Sequence, residues 1–239
     1  MTTWLSNGDA YTAEVLGHCG YDAVTVDLQH GMFGVESAIA CLQAISSTPA
    51  APLVRCRSND AGDIGHLLDA GAYGVICPGI DTVADAERFV AACRYPPTGR
   101  RSFGPSRGLL YGGSDYVQHA DSTVLTIAMI ESTTGLSNLD AILAVAGLDA
   151  IYVGPNDLAV SAGWELLGVG PVAPELAACL QLIVSRARAA GVPAGVFAMT
   201  GDQAVQFADW GFQLLTPGND VGLLRAESAR RLAMLRPRA

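Results

Sequence analysis

The chain has 239 residues, of which 50% are hydrophobic and only 15% charged, a composition that excludes a disordered or fibrous protein and can fill a sizeable core. Its 14 basic and 23 acidic side chains leave a formal charge of −9, so the basic footprint of a nucleic-acid or anionic-membrane binder is missing and a small molecule or a cation is the expected partner. The six cysteines (Cys19, Cys41, Cys56, Cys77, Cys93, Cys179) include no C-x-x-C pair, which fits reduced, cytoplasmic usage better than disulfides or a zinc site. The N-terminal MTTWLSNGDA lacks a basic segment leading into an apolar one, and no window reaches the roughly 18 apolar residues of a membrane span. A soluble, cytoplasmic protein of one domain, residues 1–239, is expected.

Short apolar runs rich in β-branched residues alternate with longer amphipathic stretches along the whole chain. A strand at Thr2–Ser6 leads to a helix at Asp9–His18, a strand at Asp22–Leu28 to a helix at Val35–Ser46, and a strand at Pro52–Cys56 to a helix at Asp60–Ala70. The pattern continues with Gly74–Pro78 and Thr82–Cys93, Val124–Glu131 and Leu136–Ala144, then Ala150–Gly154 and Pro174–Ala190. It ends with Ala194–Ala198 and Gly201–Trp210, then Gln213–Pro217 and Val221–Leu235. Runs this continuously apolar suit strands buried on both faces of a parallel sheet. Their repeated alternation with helices at this length predicts a (β/α)8 TIM barrel rather than a doubly wound open sheet. Two stretches exceed a minimal connection, Tyr95–Gln118 and Gly163–Pro174, and long loops carry function or subunit contacts.

Barrel chemistry gathers where strands end. Glu131 closes the apolar run LTIAMI and Asp157 follows the next strand in YVGPNDL, so two carboxylates from neighbouring strand ends would face each other. A hard divalent ion between them would let both stay ionised; the structural alternative makes Asp157 a helix N-cap and Glu131 the partner of an arginine. Arg55, ending PLVRC, has the fork to grip a substrate carboxylate, or it serves a structural salt bridge. His30 in VDLQHG is the one of four histidines placed directly after a strand, the position of a general base. His18, His66 and His119 fall in helical or polar loop stretches and read as structural.

The segments VDLQHG, PLVRCRSND, LLDAGAYGVICPGIDT, RYPPTGRRSFGP, MIESTTGLSNLDAI and GLDAIYVGPNDLA together resemble the HpcH/HpaI-type, metal-dependent class II pyruvate aldolases. That group contains 4-hydroxy-2-oxoheptanedioate aldolase and the 2-keto-3-deoxy-sugar-acid aldolases. The resemblance runs from about Trp4 to the C-terminal helix and implies an enzyme that cleaves a 4-hydroxy-2-oxo acid to pyruvate, or a related 2-oxo acid, and an aldehyde. It implies Glu131 and Asp157 as ligands of Mg2+ or Mn2+, with Co2+ a further option. Arg55 would hold the substrate carboxylate, Asn156, Asp157 and Trp4 would join it in binding, His30 would pair with Asp69 as a catalytic dyad, and Asp27 would position water. It further implies a homohexamer of two trimers with C-terminal helices exchanged between subunits and active sites completed across an interface, the acceptor pocket drawing on the Tyr95–Gln118 loop.

A metal-stabilised enolate needs no Schiff-base lysine, and the chain contains none, all 14 basic residues being arginine. Two positions depart from the family pattern. Met129 stands where V-Q-V-E motifs carry glutamine, and Gln29 where an acidic residue often precedes the histidine. The competing readings are a Claisen-type citrate or acyl-CoA lyase or synthase, which would need a basic site for the large CoA group, and a non-catalytic keto-acid binding protein.

Overall fold

The computed structural model describes residues 1–235. Eight strands alternate with helices: β1 (Thr2–Leu5), α1 (Ala10–Gly17), β2 (Ala23–Asp27), α2 (Val35–Ile45), β3 (Ala51–Arg55), α3 (Ala61–Asp69), β4 (Gly74–Cys77) and α4 (Val83–Cys93). Two short helices follow, α5 (Gly108–Gly112) and α6 (Tyr116–Thr123), before β5 (Leu125–Ile130), α7 (Thr133–Ser137), α8 (Leu139–Leu143), β6 (Ala150–Val153), α9 (Pro155–Ala162) and α10 (Pro174–Ala189). The chain continues through β7 (Ala194–Ala198), α11 (Gly201–Trp210), β8 (Leu214–Pro217) and α12 (Asp220–Leu235). All strands are parallel and pair in sequence order from β1 to β8, and a bridge between Trp4 and Asn219 brings the last strand end back to the first. The expected TIM barrel is therefore the observed one.

Period-two alternation divides each strand between two apolar layers. Trp4, Ile76, Ile127, Met129 and Tyr152 fill the barrel interior, whereas Val24, Val54, Val75, Ile130, Ile151 and Val196 face the surrounding helices. Tyr152 fits because β7 offers Gly195 beside it; a Cβ there would stand 2.6 Å from the ring. The phenol stays satisfied through a 2.6 Å hydrogen bond to Thr216, as a polar group in so dry a core must be. Helix boundaries follow side-chain capping. Asp60 and Thr82 accept from the N–H groups of Asp63 and Asp85, and Gly71, Gly191 and Gly211 take positive φ just past α3, α10 and α11.

Three sequence expectations change. The single helix expected over Leu136–Ala144 is two, because Ser132 caps an earlier start and Asn138, donating to the Asp81 carbonyl at 2.8 Å, breaks the run. The Tyr95–Gln118 stretch is not plain loop: it carries α5 and the start of α6. It also connects a helix to a strand, so it lies at the N-terminal end of the barrel, away from its own catalytic mouth. Thirdly, α9 was not anticipated; Pro155 directly after Gly154 is its first residue, the position where a missing N–H costs nothing.

The last helix has no buried face of its own. Asp220 is the only buried residue of α12, and Leu224, Met234 and Leu235 are 69%, 74% and 81% exposed. No helix among the described residues is long and apolar enough to cross a membrane.

Candidate active site

A cavity of about 390 Å3 opens at the C-terminal ends of the strands. Trp4, Asp27, Arg55, Met129, Tyr152 and Phe197 come from the barrel strands, and His30, Asn156, Asp157, Leu167, Asn219 and Val221 from the segments after them. Residues separated by up to 217 positions meet there because every parallel strand delivers its end to the same rim.

Asp27 and Arg55 occupy equivalent positions on adjacent strands. Arg55 donates from Nε to Asp27 Oδ1 at 2.8 Å and from Nη2 to Oδ2 at 2.7 Å, and both residues are buried. The guanidinium lies 4.2 Å from the centre of the Trp4 ring, an attraction that fixes its plane as well as its place. The structural ion pair expected as one alternative for Arg55 is thus present, and it leaves Nη1 of this cavity-lining residue outside the pair. Asp27 Oδ1 also accepts from the backbone N–H groups of Gln29 and His30, at 3.1 and 3.3 Å. The Asp27 carboxylate is accordingly committed to orienting Arg55 and the loop that presents His30. His30 itself is exposed at the rim.

Glu131 continues the inward register of Ile127 and Met129, one step beyond the end of β5. Its Oε1 accepts the backbone N–H of Gly79 at 2.8 Å. The other oxygen faces β6 so closely that a Cβ on Gly154 would stand 2.9 Å from it. Burial is the main cause holding the Glu131 carboxyl above its ordinary range, with the Gly79 N–H opposing and the Asp157 carboxylate adding to the rise. Glu131 binds a backbone amide rather than the arginine of the structural alternative, and Asp157 is not an N-cap: Gly154 holds that position, and Asp157 sits in the first turn of α9. Helix geometry leaves the N–H groups of Asn156 and Asp157 free of intrahelical acceptors, while Pro155 has none to offer. Two hard carboxylates, one with a free oxygen, beside free backbone donors make a donor set suited to a divalent ion that keeps positions for water and substrate. No cluster of three or more His, Cys, Asp or Glu side chains that could hold a metal occurs among the described residues.

Asp69 does not join this constellation. It ends α3, at the N-terminal face of the barrel, where Arg101 donates to it at 2.7 Å. Helices run antiparallel to the strands they follow, so the end of α3 and the end of β2 lie on opposite faces, and a His30–Asp69 pair cannot form within one chain. The Tyr95–Gln118 stretch occupies that same far face and contributes nothing to the cavity lining. Conversely, Phe197, Leu167, Met32 and Val221 line the cavity without having been singled out from sequence. Phe197 alternates inward within its strand, a signal open to register counting; Leu167 arrives only because its N–H donates to Asn156 Oδ1 at 2.7 Å.

Residues 1–226 match the family described as HpcH/HpaI aldolase/citrate lyase. Over 234 residues the chain is 40% identical to a hydroxypyruvate/pyruvate aldolase of Rhizorhabdus wittichii, covering 98% of this chain and 92% of that one. It is 36% identical to a 5-keto-4-deoxy-D-glucarate aldolase of Salmonella paratyphi A, covering 95% and 88% of the two chains. Among solved structures, an HpcH/HpaI aldolase/citrate lyase family protein of Burkholderia cenocepacia J2315 superimposes with a TM-score of 0.90 at 31% identity, over 99% of this chain and 94% of that one. These aldolase relatives and the matched family place the chain among the carbon–carbon lyases of the class II aldolase type. The chain belongs to the HpcH/HpaI aldolase/citrate lyase family.

Proposed function

We propose that the protein reversibly cleaves a 4-hydroxy-2-oxo acid to pyruvate, or a closely related 2-oxo acid, and an aldehyde, with Glu131 and Asp157 holding Mg2+ or Mn2+. The observation that carries this reading is the free Glu131 oxygen beside Gly154, a residue of the cavity wall to which Asp157 and Arg55 also belong. The names borne by the Rhizorhabdus and Salmonella relatives support the same substrate class. An ion in that position supplies Lewis-acid polarisation of the 2-oxo group, which removes the need for a lysine imine.

The chain's own groups do the rest. Arg55 Nη1 and the N–H groups of Asn156 and Asp157 hold the substrate carboxylate, and Trp4 backs the guanidinium. In the cleavage direction His30 takes the proton of the C4 hydroxyl, directly or through a water. The C4–O electrons form the aldehyde carbonyl, the C3–C4 pair passes to the 2-oxo group as an enolate, and a proton added at C3 yields pyruvate. The dyad that the family resemblance gives His30 and Asp69 would form between copies, with Asp69 of the partner subunit, because Asp69 lies at the far end of its own barrel. The unpaired apolar length of α12 is the segment that joins copies into the homohexamer expected of the family.

EDTA should abolish cleavage of a 4-hydroxy-2-oxo acid and Mn2+ should restore it, whereas activity indifferent to chelation would remove the metal assignment. Against the citrate or acyl-CoA reading, Arg55 is the only arginine lining the cavity among the described residues, which leaves no basic site there for a CoA group.

A further inference from the structure

The Gly163–Pro174 stretch lies at the catalytic mouth: it leaves α9 beyond the end of β6, carries Leu167 into the cavity wall and then enters α10. Between Glu165 and Val172 it has no regular structure, and Leu167 is its one buried side chain. Among the described residues, three hydrogen bonds hold this strap, and all three run to side chains outside it. Leu167 N–H donates to Asn156 Oδ1 at 2.7 Å, and Gln203 Nε2 donates to the carbonyls of Gly168 at 2.7 Å and Gly170 at 2.8 Å. Glycines lose much conformational freedom on being fixed, so a strap without a ladder of its own depends heavily on such bonds.

The residue type at position 203 is informative. Thr200 caps α11 and its hydroxyl accepts the Gln203 N–H at 3.2 Å, which puts Gln203 at the third helical position. Glutamate and glutamine serve that capping position alike, because only an acceptor oxygen is needed. Gln203 Oε1 does accept, from Met199 N–H at 3.0 Å just past β7. The two strap carbonyls demand donors, which glutamine has and an ionised glutamate lacks. Both ends of this amide, 5% exposed, are therefore fixed by partners that can act in only one sense.

From this geometry we infer that Gln203 is a positioning residue for the reaction: it clasps the strap over the mouth, so that Leu167 covers the start of α9 and its N–H orients the Asn156 side chain. The inference rests on the aldolase reading, in which the N–H groups of Asn156 and Asp157 receive the substrate carboxylate. A released strap admits water to those donors, and a hydrogen bond to a carboxylate weakens where water competes for it.

The test uses the intact protein with Mn2+. Gln203→Glu keeps the size and the acceptor oxygen that the start of α11 needs, and its charge suits a helix N-terminus, but both donors to the strap are gone. The peptide spanning the strap should exchange its amide hydrogens faster than in wild type, while the start of α11 keeps its protection. Pyruvate affinity by calorimetry and kcat/KM for cleavage of a 4-hydroxy-2-oxo acid should each fall by about tenfold. A residue that merely capped α11 would leave all three strap-dependent readouts unmoved. Wild-type affinity and turnover with a loosened strap overturn the inference, and so does a strap as protected as in wild type because a neighbouring copy holds it.

Asn156→Ala frees the other tether of the strap and retains the backbone N–H at that position. If Gln203 acts through the strap, the losses in kcat/KM of the two single variants should not multiply in the double variant; full multiplication overturns the inference. Exchange of the pyruvate methyl protons with deuterated solvent by the wild-type protein reports separately on the aldolase reading. Its absence sinks that reading, and amide exchange in the strap then still decides whether Gln203 is the clasp.

Discussion

Glu131 at the end of β5 is tethered through one carboxylate oxygen to the backbone N–H of Gly79, beyond the end of β4, at 2.8 Å. Gly79 reaches that position with φ of +65°, a conformation glycine adopts at little cost. The tether sets which oxygen is left for chemistry: the free one faces Gly154, just beyond the end of β6. Positioning of the carboxylate is thus shared among three consecutive strand ends, one supplying the acid, one a donor and one the space.

Gly154→Ala should disable the site without unfolding the barrel. Its Cβ would lie 2.9 Å from Glu131 Oε2 and 3.2 Å from the Met129 methyl. The carboxylate must shift, so Mn2+-dependent kcat/KM should fall by more than tenfold and Mn2+ affinity by calorimetry should weaken, while the thermal transition stays cooperative. Wild-type metal affinity in the variant would refute the role given to that oxygen.

Asp27→Ala leaves the Arg55 guanidinium buried without its carboxylate, the side chains of the pair being only 6% and 3% exposed. Removing one member of such a pair costs about 3–5 kcal/mol. A urea titration should show a loss of that order at an unchanged slope, and pyruvate should bind more weakly because the guanidinium plane is no longer held. Asp27→Asn keeps one acceptor oxygen and should lose less.

If His30 meets Asp69 of the partner subunit, two inactive variants should repair each other. His30→Ala and Asp69→Asn are each expected to slow cleavage by roughly 10²-fold or more, as removal of a general base does. Mixing them under conditions that let subunits exchange should recover part of the activity, since some sites then carry both native residues. No recovery in mixed assemblies, verified by native mass spectrometry, would place the partner of His30 elsewhere.

Acid should weaken the capping box of α4. Asp85 accepts from the Thr82 hydroxyl at 2.6 Å and its backbone N–H at 3.0 Å; the hydroxyl first, and then Arg88, hold the Asp85 carboxyl below its ordinary value. A carboxylate depressed in the folded state adds stability that is complete above its unfolded pKa of about 3.9 and disappears as pH falls through the folded value. Asp85→Asn should therefore be less stable than wild type at pH 7, by about 1 kcal/mol or less for so exposed a cap. The two should converge in thermal melts as the pH falls below the folded-state value of that carboxyl. A difference independent of pH would mean that the charge plays no part.

The alternation of apolar runs with amphipathic stretches was enough to determine the barrel, because strands buried on both faces and helices buried on one have different periods. The same regularity put Asp27, Arg55, Glu131 and Asp157 at one rim, since every parallel strand ends there, and the HpcH/HpaI resemblance added their joint chemistry. Local periodicity carries no information about hydrogen-bond partners across the barrel. Only the tertiary structure decided that Arg55 divides its fork between Asp27 and the cavity, that Glu131 leans on Gly79, and that Leu167 and Phe197 close an apolar wall. It also decided that Asp69 lies on the face opposite His30, because antiparallel helix and strand carry the two residues to opposite ends. A site whose parts sit at both ends of one barrel is a matter of how copies meet.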